Sequence, residues 1–168
     1  MTLRSGEEIQ PVQVLDVFEP IVATGSTDID DSVQTENTAW FALLTITPAT
    51  GAPLRDVVVC LDLDKATTGY AAVESTATIQ FRIARKIDGT NWRGDETGSL
   101  ADMLTAAISG DNADGMMAEL HLGSVGVAQA ARIEAKMSAD ASGDITFPYI
   151  VMYEATTAAT ITAVTAVP

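Results

Sequence analysis

The stretch Thr76-Ala77-Thr78-Ile79-Gln80-Phe81-Arg82-Ile83-Ala84-Arg85-Lys86 decides the fold class. Ile79, Phe81 and Ile83 fall on one side of an extended chain, and Gln80 and Arg82 fall on the other. That period of two marks a β-strand with one face in a core. Its second face is expected to be wet, because antiparallel sheets commonly bury one side only. The same alternation returns in Arg132-Ile133-Glu134-Ala135-Lys136-Met137, with Arg132, Glu134 and Lys136 on the expected solvent side.

Upstream, a first strand is expected over Val12 to Ala23. Pro20 lacks the amide a central ladder uses, which assigns this strand to an edge or a bulge. Residues 24–38 are polar and read as a long loop. Ala39 to Thr47 is apolar on both sides (Phe41 and Leu43 against Leu44 and Ile46), and Pro48 to Pro53 makes a turn. A third strand follows over Asp56 to Asp62. Downstream of Lys86, Asp88-Gly89 reads as a turn and Thr90 to Arg93 as a hairpin return. A short helix is expected from Ser99 to Gly110. Ser99 caps it, Asp102 completes a capping box, and Leu100, Met103, Leu104, Ala107 and Ile108 form one stripe. Strands at Met117 to Leu122, Val127 to Met137, Ile145 to Tyr153 and Thr160 to Val167 close the chain.

About eight short strands with one short helix in a connection indicate an all-β fold, an antiparallel β-sandwich of jelly-roll-like or immunoglobulin-like topology. Residues 1–10 are polar and acidic and end at Pro11, so they read as a flexible N-terminal arm, with residues 11–168 as a single sandwich domain.

Composition narrows the function. A chain of 168 residues that is 47% hydrophobic has the material for one packed core. Nine basic residues against 23 acidic ones, a formal net charge of −14, argue against binding nucleic acid or anionic membrane surfaces. No run approaches the roughly 18 apolar residues of a membrane-spanning helix. The start, Met1 to Glu8, has no apolar signal-peptide core, which points to accumulation in the cytoplasm of the cell that makes the protein.

Residues able to do chemistry are sparse. The single cysteine, Cys60, lies in Val57-Val58-Val59-Cys60-Leu61 and reads as a small buried hydrophobe. The single histidine, His121, stands in a strand and reads as a half-exposed filler, and one His with one Cys cannot build an ordinary zinc site. Calcium is the ion the acidic loops could hold, with Asp28, Asp30 and Asp31 as the first candidates ahead of Asp62 with Asp64 and Asp111 with Asp114. Solvated turn carboxylates remain the simpler reading of all three groups. Paired carboxylates also occur in glycosidases, but those sites add a cleft lined by several aromatics, and Phe41, Phe81 and Phe147 look like core. The chain is accordingly expected not to be an enzyme and to carry no cofactor. Trp92 and Arg93, near a hairpin tip, are the best contact candidates, since Trp and Arg are enriched at binding hot spots. Equally, Trp92 folds back to cap the sandwich. Leu3, Arg4 and Ile9 in the arm are the other partner-interface candidates.

Two stretches carry a resemblance. Ala77 to Trp92, and Arg132 to Asp140 continuing through Ile145-Thr146-Phe147-Pro148-Tyr149, resemble segments of small β-rich virion proteins of tailed bacteriophages, as does the Ala/Thr/Val-rich tail. The resemblance is to capsid decoration (cement) proteins. It implies a homo-oligomer, dimer or trimer, that sits on the major capsid protein in the virion and leaves the host by lysis. A glycan- or host-surface-binding module and a tail or baseplate component are the alternatives.

Overall fold

The computed structural model describes residues 17–29, 40–62, 78–86, 90–94, 104–107, 117–127, 129–137 and 145–164. These form ten strands: β1 (Glu19–Ile29), β2 (Phe41–Thr47), β3 (Leu54–Asp62), β4 (Thr78–Lys86), β5 (Arg93–Gly94), β6 (Leu104–Ala107), β7 (Met117–Val125), β8 (Ala130–Met137), β9 (Ile145–Ala155) and β10 (Thr160–Ala163). Sheet A has the order β1-β9-β3-β7. Sheet B has β10-β2-β8-β4 as its spine, with β5 and β6 both paired to β4. Every pairing is antiparallel.

The pairs are nested. β4 meets β5 and β6, β3 meets β7, β2 meets β8, and β1 meets β9. Successive pairs alternate between the sheets, as when one long hairpin is rolled up. This resolves the two topologies left open by the sequence in favour of a jelly roll, with β10 added beside β2.

Two sheets must share one dry interior, and the sequence supplies it. Leu43, Leu44, Ile46, Phe81, Ile83, Ile133 and Ala135 from sheet B meet Leu54, Val57, Val59, Leu61, Leu120, Phe147 and Val151 from sheet A. Phe81 and Phe147 cross the gap edge to face, with ring centroids 6.2 Å apart and planes at 83°. Such a pair contributes about 0.5–1.5 kcal/mol beyond the area it buries. Leu43 and Leu44 are adjacent in sequence and both fully buried. A register shift between Ala42 and Leu44 in the β2–β8 ladder explains how. The apolar-on-both-sides reading of β2 thus reflects a bulge.

Both seams between the sheets are stitched by hydrogen bonds. On one side the Thr27 hydroxyl donates to the Leu43 carbonyl at 2.6 Å and the Asp28 amide donates to the Val164 carbonyl at 2.8 Å. On the other, the Arg85 guanidinium donates to the Ser124 carbonyl at 3.0 Å and to that of Leu122.

Three expectations need correction. The first strand begins at Glu19 and runs through Ile29, so residues 24–29, read as loop, are strand; on this edge strand Thr24 and Ser26 are exposed, and the buried Thr27 hydroxyl is satisfied by the Leu43 carbonyl. The same edge position accommodates Pro20. Second, the expected helix is not formed at its centre, where Leu104–Ala107 lies along β4, from Thr78↔Ala107 to Phe81↔Leu104. Backbone groups on β4's open side need partners, and that demand outweighs a weak helical stripe. The remaining residues of that stripe lie outside the described residues. Third, the outer face of β4 and β8 is not wet throughout: Arg82 and Glu134 at its centre are buried, with half-buried residues around them.

Candidate functional site

With its interior filled by side chains, the sandwich has two outer faces left on which to act. On sheet B, the β4–β8 register sets Arg82 opposite Glu134, Ala84 opposite Arg132 and Gln80 opposite Lys136. Glu134 is 1% exposed and Arg82 8%. The Arg82 Nε donates to Glu134 Oε2 at 2.5 Å, and Arg132 pairs through Nε and its terminal nitrogen with Oε1. One buried carboxylate therefore holds two guanidiniums, an arrangement whose desolvation cost is offset only when every partner is present.

Two tryptophans lie over this triad. The Arg82 guanidinium packs 4.4 Å from the Trp40 ring centroid and the Arg132 guanidinium 4.3 Å from that of Trp92. The Lys136 and Lys86 ammoniums stand 6.0 Å from the same two rings. Planar guanidinium on indole is favourable in both electrostatics and area. Beside Trp92, Thr45, Thr47, Lys86 and Gln129 border a groove of about 500 Å³. Trp92 folds back over the sheet and also borders the groove. Arg93 is exposed on β5, opposite Arg85.

The outer face of sheet A is different in kind. The β1–β9 and β3–β9 registers align Val22, Met152 and Val58 in one row and Thr24, Ile150 and Cys60 in the next. Val22, Ile150, Met152 and Met117 are exposed. A dimple of about 130 Å³ lies among Cys60, Asp62, Met117, Pro148, Tyr149 and Ile150. Cys60 is buried, as its apolar neighbours in sequence indicate, and burial together with the nearby Glu119 carboxylate pushes its thiol above the ordinary 9.0. His121 is exposed on the same face, its Nε2 2.6 Å from Glu119 Oε1.

Among the described residues no three His, Cys, Asp or Glu side chains gather as a metal site. Asp28 is buried at the end of β1, whereas Asp30 and Asp31 lie outside the described residues, as do Asp64, Asp111 and Asp114. Leu3, Arg4 and Ile9 lie outside them too. Sequence reasoning missed Trp40, Lys86 and the two threonines of the groove, and also the apolar row on sheet A. The signal for the row was present, since Tyr149-Ile150-Val151-Met152-Tyr153 is apolar on both sides of a strand.

No family model, curated protein or solved structure matches this chain.

Proposed function

We propose that the protein is a non-enzymatic structural component of a virion, a capsid decoration protein that docks on the major capsid protein through the outer face of sheet A. The observation that carries this reading is the exposure of the apolar side chains Val22, Met152 and Ile150 on two neighbouring rows of a four-stranded sheet. Soluble monomers rarely leave a contiguous apolar patch uncovered without a binding role. Jelly-roll sandwiches recur in viral shells and in lectins, and the resemblance in Ala77 to Trp92 and Arg132 to Tyr149 favours the first. A rigid stitched sandwich with its interior filled suits a brace better than a catalyst.

The test is co-sedimentation of the purified chain with intact phage capsids that lack it. Saturable binding at a fixed ratio to the major capsid protein is expected, with loss of binding in a Val22→Glu/Met152→Glu double variant that melts like the parent. Absence of pelleting at low salt would overturn the shell-bound role.

A further inference from the structure

We infer that the groove beside Trp92 on sheet B is a binding site for a carboxylate-bearing sugar, of the uronic or sialic acid type. This surface lies on the opposite side of the sandwich from the apolar row and does not depend on it.

Charge gives the first reason. In a chain of formal net charge −14, the outer face of β4 and β8 gathers Arg82, Lys86, Arg132 and Lys136 around one carboxylate, Glu134. Glu134 is already taken by the two arginines. Among the described residues no carboxylate borders the groove, and Lys86 has no acidic partner. Among the described residues Lys136 likewise has no acidic partner, but Lys86 is the one of the two at the groove, and an anionic group is its complement.

Shape and hydrogen bonding give the second. Trp92 forms a wall of the groove and is held by Arg132 packed on its ring. A fixed indole is a platform for the flat apolar side of a pyranose. Thr45 and Thr47 project from neighbouring positions of one face of β2, and each hydroxyl both donates and accepts. The Gln129 amide oxygen accepts from the Gly126 amide at 2.9 Å, which directs its NH₂ group elsewhere and leaves it to donate. A ring platform, hydroxyls, an amide and one cation within about 500 Å³ match one or two polyhydroxylated rings with a carboxylate. An acidic peptide would use the cation but leave the hydroxyl pair and the ring platform largely idle.

The experiment is a fluorescence and calorimetric titration of the full chain with trigalacturonate and 3′-sialyllactose, against lactose and hexaglutamate, without divalent cations. Saturable binding of at least one acidic sugar, tighter than lactose, is expected. Trp92→Ala abolishes it. Lys86→Gln weakens the acidic sugar about tenfold, the loss of one charge-assisted contact, while leaving lactose unchanged. Thermal melting of both variants separates lost binding from lost fold, and Lys86→Gln removes the charge of a half-buried side chain while keeping a polar one. Three outcomes would overturn the inference: neither acidic sugar binds, hexaglutamate binds as tightly, or acidic-sugar binding survives Lys86→Gln undiminished.

Discussion

On the outer face of sheet A, Val22, Ile150 and Met152 are open to solvent over 63%, 42% and 39% of their surface, while on sheet B the charged pair Glu134 and Arg82 is shut away. The usual allocation is reversed: apolar side chains face water and ionic ones are covered. The difference lies in what lies across each sheet. Trp40 and Trp92 arrive from outside the long strands, at the head of β2 and in the connection to β5, and cover the ionic triad. Among the described residues sheet A has Phe18 in that part, its ring 3.7 Å from the Arg55 guanidinium, but Val22, Ile150 and Met152 stay exposed beside it. The ionic face is therefore a finished piece of structure with a groove at its margin, and the apolar face is finished only by something else.

The largest test of this contrast is Glu134→Gln. Removing the shared carboxylate leaves Arg82 and Arg132 facing each other under the tryptophans, and about 3–5 kcal/mol of stability should be lost in urea unfolding. A cost under about 1 kcal/mol would mean that the face is solvated and the contrast false. Trp40→Ala comes next. It uncovers Arg82 and should cost about 1–2 kcal/mol, with faster exchange of the β4 and β8 amides than of those in β9.

Cys60 sharpens the comparison from the other side, because it borders the dimple on the apolar face and is itself buried. Its thiol is pushed up, so the folded chain keeps the proton where the unfolded chain has lost it. The contribution to stability is full below pH 9.0 and is lost as pH rises through the folded value. Cys60→Ala should flatten that alkaline decline, and the native thiol should react with a disulfide reagent at least about tenfold more slowly than the unfolded one. Equal rates would show that the sheet A face opens readily. The smallest effect belongs to Val22→Ser and Met152→Ser, each within about 0.5 kcal/mol of the parent in stability. A larger loss in either would mark the row as packed in the isolated chain.

The long-strand skeleton was legible because its cause is local. Alternation in Ile79 to Ile83 and in Ile133 to Met137, the Pro48 to Pro53 turn and the edge position of Pro20 are all written within a few residues of one another. The helix over 99–110 failed because the competing partner, the free edge of β4, is remote in sequence. The groove failed for the same reason: Lys86 and Trp92 are near neighbours, but Thr45, Thr47 and Gln129 reach them only through the β2–β8–β4 order. The ionic face was half legible. The sequence displays Arg82, Glu134 and Arg132 at outward positions, yet only strand order places the two arginines on either side of one carboxylate.

The nesting of the strand pairs also sets a timetable. Pairs at the tip of the roll, β4 with β5 and β6, join residues near in sequence and are the cheapest to close, whereas β1 and β9 bring together Glu19 and Ala155. Because β9 is the strand that both β1 and β3 adjoin, sheet A has no continuous order until residues 145–155 have left the ribosome. Until then β3 has only β7 beside it, and one of its edges is open. The chain must be synthesised through Ala155 before β1 finds its place beside β9, so a chain released before residue 145 yields no smaller version of the fold.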